Sequence, residues 1–140
     1  MNKNAYFCCY KGAGSMMTSF IKYLTSIGIT PIRQDNSSIS FEHESLKYLF
    51  VYEDKDPYYF RLILPNIINV TNDNEQKIKD IINSMNIKFK VVKNVIVDTS
   101  VWVSIEQFVY SKENIEELFK RSISLLETLI ENFRVELAKE

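Results

Sequence analysis

Glycine and histidine are scarce in this chain of 140 residues, which has three glycines and one histidine. Gly12 and Gly14 precede an expected helix, an arrangement that can hold an anion, but the spacing of a phosphate-binding or dinucleotide-binding loop is absent. The Gly-x-Ser-x-Gly elbow and the His-Glu-x-x-His zinc motif are absent as well. A serine or cysteine nucleophile would have only His43 as its imidazole base. The sequence therefore predicts a protein that is not an enzyme.

Cysteine is equally scarce, and its two copies, Cys8 and Cys9, are neighbours. Adjacent cysteines rarely bond to each other, because the trans peptide holds their side chains apart. A metal site would need further cysteine or histidine ligands, and the sequence offers no second Cys-x-x-Cys and no histidine cluster. We expect reduced thiols, no metal and no other cofactor.

The chain also lacks an excess of either charge and lacks a long apolar run. It has 17 Lys and Arg against 18 Asp and Glu, so it has no basic field for a phosphate backbone, and nucleic acid is not an expected partner. Its apolar runs are far shorter than the roughly 20 residues that cross a bilayer, and no membrane association is expected. The apolar stretch 5–10 is shorter than the core of a secretory signal. We expect a cytoplasmic protein.

The periodicity of the apolar residues predicts one α+β domain over residues 15–140, preceded by an N-terminal extension over residues 1–14. The first helix covers residues 16–27 and ends at Gly28, a suitable helix C-cap. Pro31 argues against a central strand just after it. Strands are expected over residues 39–41, 46–53, 58–64, 88–97 and 101–109; a second helix over residues 73–86, capped by Asn72 or Asp73; and a third helix from Ser111. The sequence thus predicts an antiparallel five-stranded sheet with three helices in the order α-β-β-β-α-β-β-α.

Aromatic residues make up 13% of the chain and fall on both faces of the expected strands. A sheet normally presents one polar face to water, so the second apolar face must be covered by the protein's own helices and loops, by a second subunit or by a ligand. Tyrosine, tryptophan and phenylalanine anchor interfaces with a large area and few rotatable bonds. The residues predicted to bind a protein or peptide partner are Trp102, Phe108, Tyr110, Tyr48, Phe50, Tyr58 and Phe60.

His43 supports an alternative function, since it lies between Glu42 and Glu44 in a predicted polar turn. In an extended strand the two carboxylates would lie on the face opposite the imidazole, and only a turn could bring the three groups together. The alternative is a small-ligand sensor or enzyme with a pocket near His43. A regulatory or immunity-type inhibitor of one specific partner would have the same sequence features as a general binding module.

The order of elements resembles the YbjN family of proposed bacterial sensory transduction regulators and, through it, the type III secretion chaperone fold. The stretches that carry the resemblance are FIKYLTSIG at residues 20–28, ISFEHESLKYLFVY at 39–52, DPYYFRLIL at 56–64, and the hairpin with the long helix over residues 91–137. The resemblance implies a cofactor-free, regulatory or chaperone-like protein that forms a homodimer. It also implies that extended partner segments are held against sheet and helix surfaces, because an added strand gains main-chain hydrogen bonds.

Overall fold

The computed structural model describes residues 16–140. The predicted N-terminal extension over residues 1–14, with Cys8 and Cys9, lies outside the described residues. Within residues 16–140 the chain forms three helices and one antiparallel sheet. The helices are α1 (Met16–Ser26), α2 (Glu75–Lys88) and α3 (Ile115–Ala138). The strands are β1 (Ile32–Arg33), β2 (Ser38–His43), β3 (Leu46–Tyr52), β4 (Tyr59–Asn69), β5 (Val92–Val97) and β6 (Ser100–Phe108).

The sheet has six strands in the order β1-β2-β3-β4-β6-β5, so the predicted number of five is corrected. The additional strand is β1, in which Ile32 pairs with Ser40 and Arg33 pairs with Ile39. A strand of two residues is too short to show the alternation of apolar and polar residues by which a strand is predicted from sequence. Pro31 precedes the strand, and β1 forms the edge of the sheet, where proline is tolerated.

Helix α1 ends as its sequence predicts, because Gly28 adopts a left-handed backbone conformation with φ of +82°. The amide of Ile29 then donates to the carbonyl oxygen of Leu24 at 2.9 Å. Helix α3 begins differently from its prediction. Its N-cap is Asn114, with φ of 59°, whereas the Ser111 hydroxyl accepts a hydrogen bond from the amide of Glu113.

Strand β4 continues beyond the predicted end at Leu64, because a bulge accommodates Pro65. The pairing with β6 passes from Leu64 opposite Val103 to Ile68 opposite Val101, so three residues of β4 stand against one residue of β6. That single residue is Trp102. A proline cannot donate to the ladder, and a bulge removes the need for it to do so.

All three helices pack on one face of the sheet, which we call the core face. Phe20 of α1 stacks on Phe50 of β3 at 3.9 Å between ring centroids, and Phe119 of α3 meets the Phe20 ring edge-on at 4.8 Å. Helix α2 joins the same side, where the side chain of Asn86 bonds to Asn94 of β5. The opposite face, which we call the outer face, carries Leu49, Val51, Tyr59, Arg61, Ile63, Trp102, Glu106 and Phe108.

Candidate functional site: an exposed aromatic cluster

Four aromatic rings form a connected group at one end of the central strands, and we call this group the aromatic cluster. Its members are Tyr58, Tyr59, Phe108 and Tyr110. The ring centroids of Tyr59 and Phe108 lie 5.4 Å apart, those of Phe108 and Tyr110 lie 6.1 Å apart, and those of Tyr58 and Tyr110 lie 5.1 Å apart. Tyr58 is 51% exposed, Phe108 58% and Tyr110 75%. These rings therefore offer apolar area that the described residues leave open to contact.

Strand pairing positions the cluster. Tyr59 is the first residue of β4 and pairs with Phe108, the last residue of β6. The ladder continues by one bond beyond the two strands, since the amide of Val109 donates to the carbonyl oxygen of Tyr58 at 2.6 Å. Pro57 closes the preceding turn and fixes the direction in which β4 begins. The two chain segments that carry the rings are thus held by backbone hydrogen bonds.

A groove of about 250 Å³ adjoins the cluster. Pro57 and Tyr58 line it on the β4 side, and the segment 109–112 lines it on the side that leads to α3. Met16 and Ile115, the first residues of α1 and α3, complete its lining. An apolar side chain of a partner could occupy this groove while its neighbours contact the exposed rings.

Acidic segments flank the cluster on both sides. The turn of residues 53–56 carries three carboxylates and one lysine, and the segment 111–117 also carries three carboxylates and one lysine. The second segment acts on a phenol outside the cluster: burial raises the pKa of Tyr23 in α1, and the charges of Glu117 and Glu116 raise it further. Burial raises the pKa of Tyr52, and the charges of Asp54 and Asp56 raise it further. Burial likewise raises the pKa of Tyr59, with a further contribution from the charge of Glu106.

The seven residues predicted to bind a partner do not form one surface, because they lie on both faces of the sheet. Tyr58, Phe108 and Tyr110 belong to the aromatic cluster. Tyr48, Phe50 and Phe60 are enclosed on the core face beneath α1 and α3. The prediction that these three rings are accessible to a partner is therefore corrected. They form part of the surface on which the helices pack.

Trp102 lies apart from the cluster. It precedes Phe108 by six positions in β6, which corresponds to about 20 Å along a strand. Its indole Nε1–H donates to Asn66 Oδ1 at 3.1 Å across the bulge of β4. Tryptophan at this position therefore supports the bulge, and its participation in partner binding stays a prediction. Tyr59 was not among the predicted residues, although the alternation of β4 places it on the outer face with Phe108.

His43 ends β2, and its side chain points to the core face. Its Nε2 lies 3.3 Å from Oε1 of Glu127 in α3. The turn itself consists of Glu44 and Ser45, both with positive φ. Within residues 16–140, no three His, Cys, Asp or Glu side chains lie close enough to hold a metal ion. Although the chain turns here, His43 and its two neighbouring glutamates therefore do not form a metal-binding group within the described residues.

A second cavity, of about 380 Å³, lies beside this turn. Ser45 and Lys47 line one side of it, the bulge of β4 lines another, and Ile130, Phe133 and Arg134 of α3 line a third. His43 is not among the lining residues. The cavity combines an apolar interior with two cationic side chains at its rim.

A substitution at Tyr48 tests whether the aromatic residues of the core face contribute to stability through packing alone. Its ring stacks on Phe41 at 4.9 Å, and its buried hydroxyl has no hydrogen-bond partner among the described residues. Burial raises the pKa of this phenol well above its usual range. We expect Tyr48→Phe to leave the free energy of unfolding unchanged or to raise it by up to about 1 kcal/mol, because the stacking is kept and an unpaired polar group is removed. Urea denaturation measures the change, and a loss greater than about 1 kcal/mol would mean that the hydroxyl is bonded.

No helix in residues 16–140 has the length and apolar character needed to cross a membrane.

No family model and no curated protein matches the chain. Among solved structures, the chain is similar to YbjN from E. coli, a proposed transcription regulator. The two share 10% sequence identity with a TM-score of 0.65, over 88% of this chain and 94% of the YbjN chain. The resemblance to YbjN is therefore confirmed for the fold, while the relation to the type III secretion chaperone fold stays a prediction: this chain has the YbjN fold.

Proposed function

We propose that this chain is a non-catalytic, regulatory or chaperone-like module that binds a protein or peptide partner through the aromatic cluster. The observation that carries the proposal is the exposure of Tyr58, Phe108 and Tyr110 in one connected group beside a groove. Exposed apolar patches of this kind mark interaction sites in proteins. The similarity of the fold to that of a proposed regulator is consistent with a binding role.

The edges of the sheet are poorly suited to the added strand that the family resemblance implies. The edge strand β1 has only two residues. At the other edge, the Asn86 side chain already occupies the amide and the carbonyl of Asn94 in β5. A partner strand at β5 would have to displace these bonds. The proposal therefore places the partner on the cluster at the strand ends and not along an edge.

Removal of one ring provides the test. We expect Tyr110→Ala to abolish the capture of a partner from the native cell, because the most exposed ring of the cluster is lost. Once the captured protein is identified and purified, titration of the two proteins should show a loss of affinity of about 1–2 kcal/mol for the variant. Because Tyr110 is largely exposed, the thermal midpoint of the variant should stay close to that of the wild type.

Val135→Ala is the matched control. Val135 is also an exposed large side chain, but it lies 20 residues beyond Ile115 in α3, about 30 Å from the groove. This variant should bind the partner as the wild type does. Equal binding by Tyr110→Ala, Phe108→Ala and the wild type would contradict the proposal.

The proposed homodimer is examined with the same variants. Light scattering of the wild type gives the mass of the particle in solution. A dimer that dissociates on Tyr110→Ala would make the cluster a surface for self-association. A dimer that persists in the variant would leave the cluster free for another protein.

The cavity beside the β2–β3 turn supports a second candidate function, the binding of a small ligand. Its volume lies within the range of small-molecule sites, and Lys47 and Arg134 at its rim favour an anionic group on an apolar body. A screen of small carboxylates by thermal shift tests this function, and a shift that disappears in Arg134→Gln would support it.

A further inference from the structure

The charge of the chain is distributed unevenly around the aromatic cluster. The turn of residues 53–56 and the segment 111–117 each have a net charge of −2, whereas the whole chain has a net charge of −1. The remaining residues therefore sum to +3, of which Lys3 and Lys11 supply +2. Both acidic segments adjoin exposed aromatic residues in the chain, Tyr58 after the turn and Tyr110 before the second segment.

Both acidic segments are continuous with the groove. Pro57 directly follows the acidic turn, and Ser111 and Lys112 line the groove where the second segment begins. Glu106 contributes to the raised pKa of Tyr59, and it also lies 3.4 Å from Lys93 Nζ and opposite Arg61 in the neighbouring strand. Lys112 is the one charged residue that lines the groove itself, and the carboxylates follow next to it in the chain, at residues 53–56 and 113–117.

A cationic side chain can interact with both the aromatic rings and the neighbouring carboxylates. An arginine or lysine is attracted to the face of an exposed tyrosine or phenylalanine ring within about 6 Å of its centroid. The same side chain can pair with a neighbouring carboxylate, and the apolar stem that carries its charge can lie on the rings. Carboxylates, phosphates and anionic lipids would instead be repelled by the two acidic segments.

A second copy of the same surface is a poor occupant. In a symmetric dimer each patch faces its own equivalent, so the acidic segments of the two copies would be brought together. Like charges placed opposite each other across an interface oppose association. The charge pattern therefore favours a different molecule over self-association through the cluster.

We propose that the partner segment bound by the aromatic cluster is basic: an extended stretch of another protein in which arginine or lysine alternates with apolar residues. This inference rests on the binding function proposed above and specifies its ligand. The apolar side chains enter the groove and cover Phe108, while the cationic side chains lie over Tyr58 and Tyr110 and reach the carboxylates of the two segments.

The test uses the full chain and three fluorescent peptides of about ten residues, a length that spans about 33 Å when extended. The peptides share their apolar leucine and proline positions, and the intervening positions are arginine, glutamine or glutamate. Fluorescence anisotropy gives each affinity. We expect the arginine peptide to bind at least about tenfold more tightly than the other two in about 0.1 M salt, and this preference to shrink in about 1 M salt, where the Debye length falls from about 10 Å to about 3 Å.

Two variants locate the interaction. Tyr110→Ala should weaken the arginine peptide about fivefold, the value of one exposed cation–π contact. The double variant Asp54→Asn with Glu113→Gln removes one carboxylate from each acidic segment and should weaken it by a similar factor. The matched control, Asp73→Asn with Glu140→Gln, makes the same change in net charge. Asp73 lies beyond the far end of β4, and Glu140 lies beyond the far end of α3, so this control should bind as the wild type does.

A photo-crosslinking amino acid at position 110 identifies the occupant directly. A crosslink to the arginine peptide supports the inference. The chain itself contains one competing segment, residues 1–15, which carries Lys3 and Lys11 and no acidic residue. A crosslink that stays on residues 1–15, or that joins two copies, in the presence of saturating arginine peptide would overturn it.

The outcomes separate this inference from the proposed function. Equal or tighter binding of the glutamine or glutamate peptide, with loss of binding in Tyr110→Ala, would overturn the basic ligand and leave the binding role in place. Absence of binding by all three peptides, together with partner capture that does not depend on Tyr110, would overturn both.

Discussion

Replacing Phe50 by alanine is expected to lower the free energy of unfolding by about 3–5 kcal/mol. Phe50 has no exposed surface and lies at the centre of the contact between the sheet and two helices. Its ring stacks on Phe20 of α1 at 3.9 Å and meets Phe119 of α3 edge-on at 6.1 Å. The variant would leave a cavity bounded by three elements that cannot all move inward. Because the stability of a typical domain is about 5–15 kcal/mol, a large part of it would be lost.

Phe108→Ala is the matched control, since it makes the same chemical change on the other face of the sheet. More than half of the Phe108 side chain is exposed, so its removal should change the free energy of unfolding by less than about 1 kcal/mol. Urea denaturation of both variants gives the two values. A small loss for Phe50→Ala, with partner binding impaired, would mean that Phe50 contacts a partner as the sequence pattern predicts. Equal losses for both variants would show that Phe108 is enclosed as fully as Phe50.

The difference between Phe50 and Phe108 also shows how far the sequence determines the site. Alternation along β3 and β4 predicts that Phe50 faces the same way as Leu62, and the observed register pairs these two residues. Alternation alone does not state which face the helices cover. Both faces of these strands are apolar, so the pattern predicts one partner-binding surface from rings that lie on two faces. The choice between the faces depends on how α1 and α3 pack, which is a tertiary property.

The edges and irregularities of the sheet were the least predictable parts of the fold. Strand β1 is too short for a period of two to be visible, and it is recognised as a strand by its pairing with β2. The bulge in β4 lies where Pro65 favours the end of a strand, and the strand resumes because Ile68 and Asn69 pair with β6. In both places, non-local pairing overrides a local signal.

The aromatic cluster could be predicted only in part. Phe108 and Tyr110 follow from the pattern of β6, and Tyr58 follows from its place after the turn. The contact between Tyr58 and Tyr110 depends on the pairing of β4 with β6, two strands that are not consecutive in the chain. The coincidence of these rings with the acidic start of α3 depends on the same pairing. The rings are thus predictable from the sequence, whereas their grouping depends on the topology of the sheet.

The second large effect is expected at Asn86, whose side chain completes the outer edge of β5. Asn86 Oδ1 accepts hydrogen bonds from the backbone amide and from the side-chain Nδ2 of Asn94, both at 2.8 Å, and Asn86 Nδ2 donates to the carbonyl oxygen of Asn94 at 3.1 Å. Asn94 is only 1% exposed. We expect Asn86→Ala to lower the free energy of unfolding by about 2–3 kcal/mol, because the buried polar groups of Asn94 lose their partner.

Asn83→Ala is the matched control in the same helix. Asn83 is exposed, and both substitutions replace asparagine by the best helix former, so the gain in helix propensity is common to the two variants. The difference between their unfolding free energies therefore measures the contacts of Asn86 with the edge strand. An equal effect of the two substitutions on stability would contradict the structural role of Asn86.

The same variant tests the protection of the sheet edge. In the wild type, Asn86 occupies the outward amide and carbonyl of Asn94, and a neighbouring molecule cannot pair with them. Once this amide and carbonyl are unpaired, β5 exposes an edge of six residues. The charge of Lys93 then remains to oppose pairing with another molecule. We expect Asn86→Ala to form larger particles as its concentration rises, as measured by light scattering, while Asn83→Ala does not. If the particles of Asn86→Ala persist when Tyr110 is also replaced by alanine, the association occurs through the edge and is separate from the surface proposed to bind the partner.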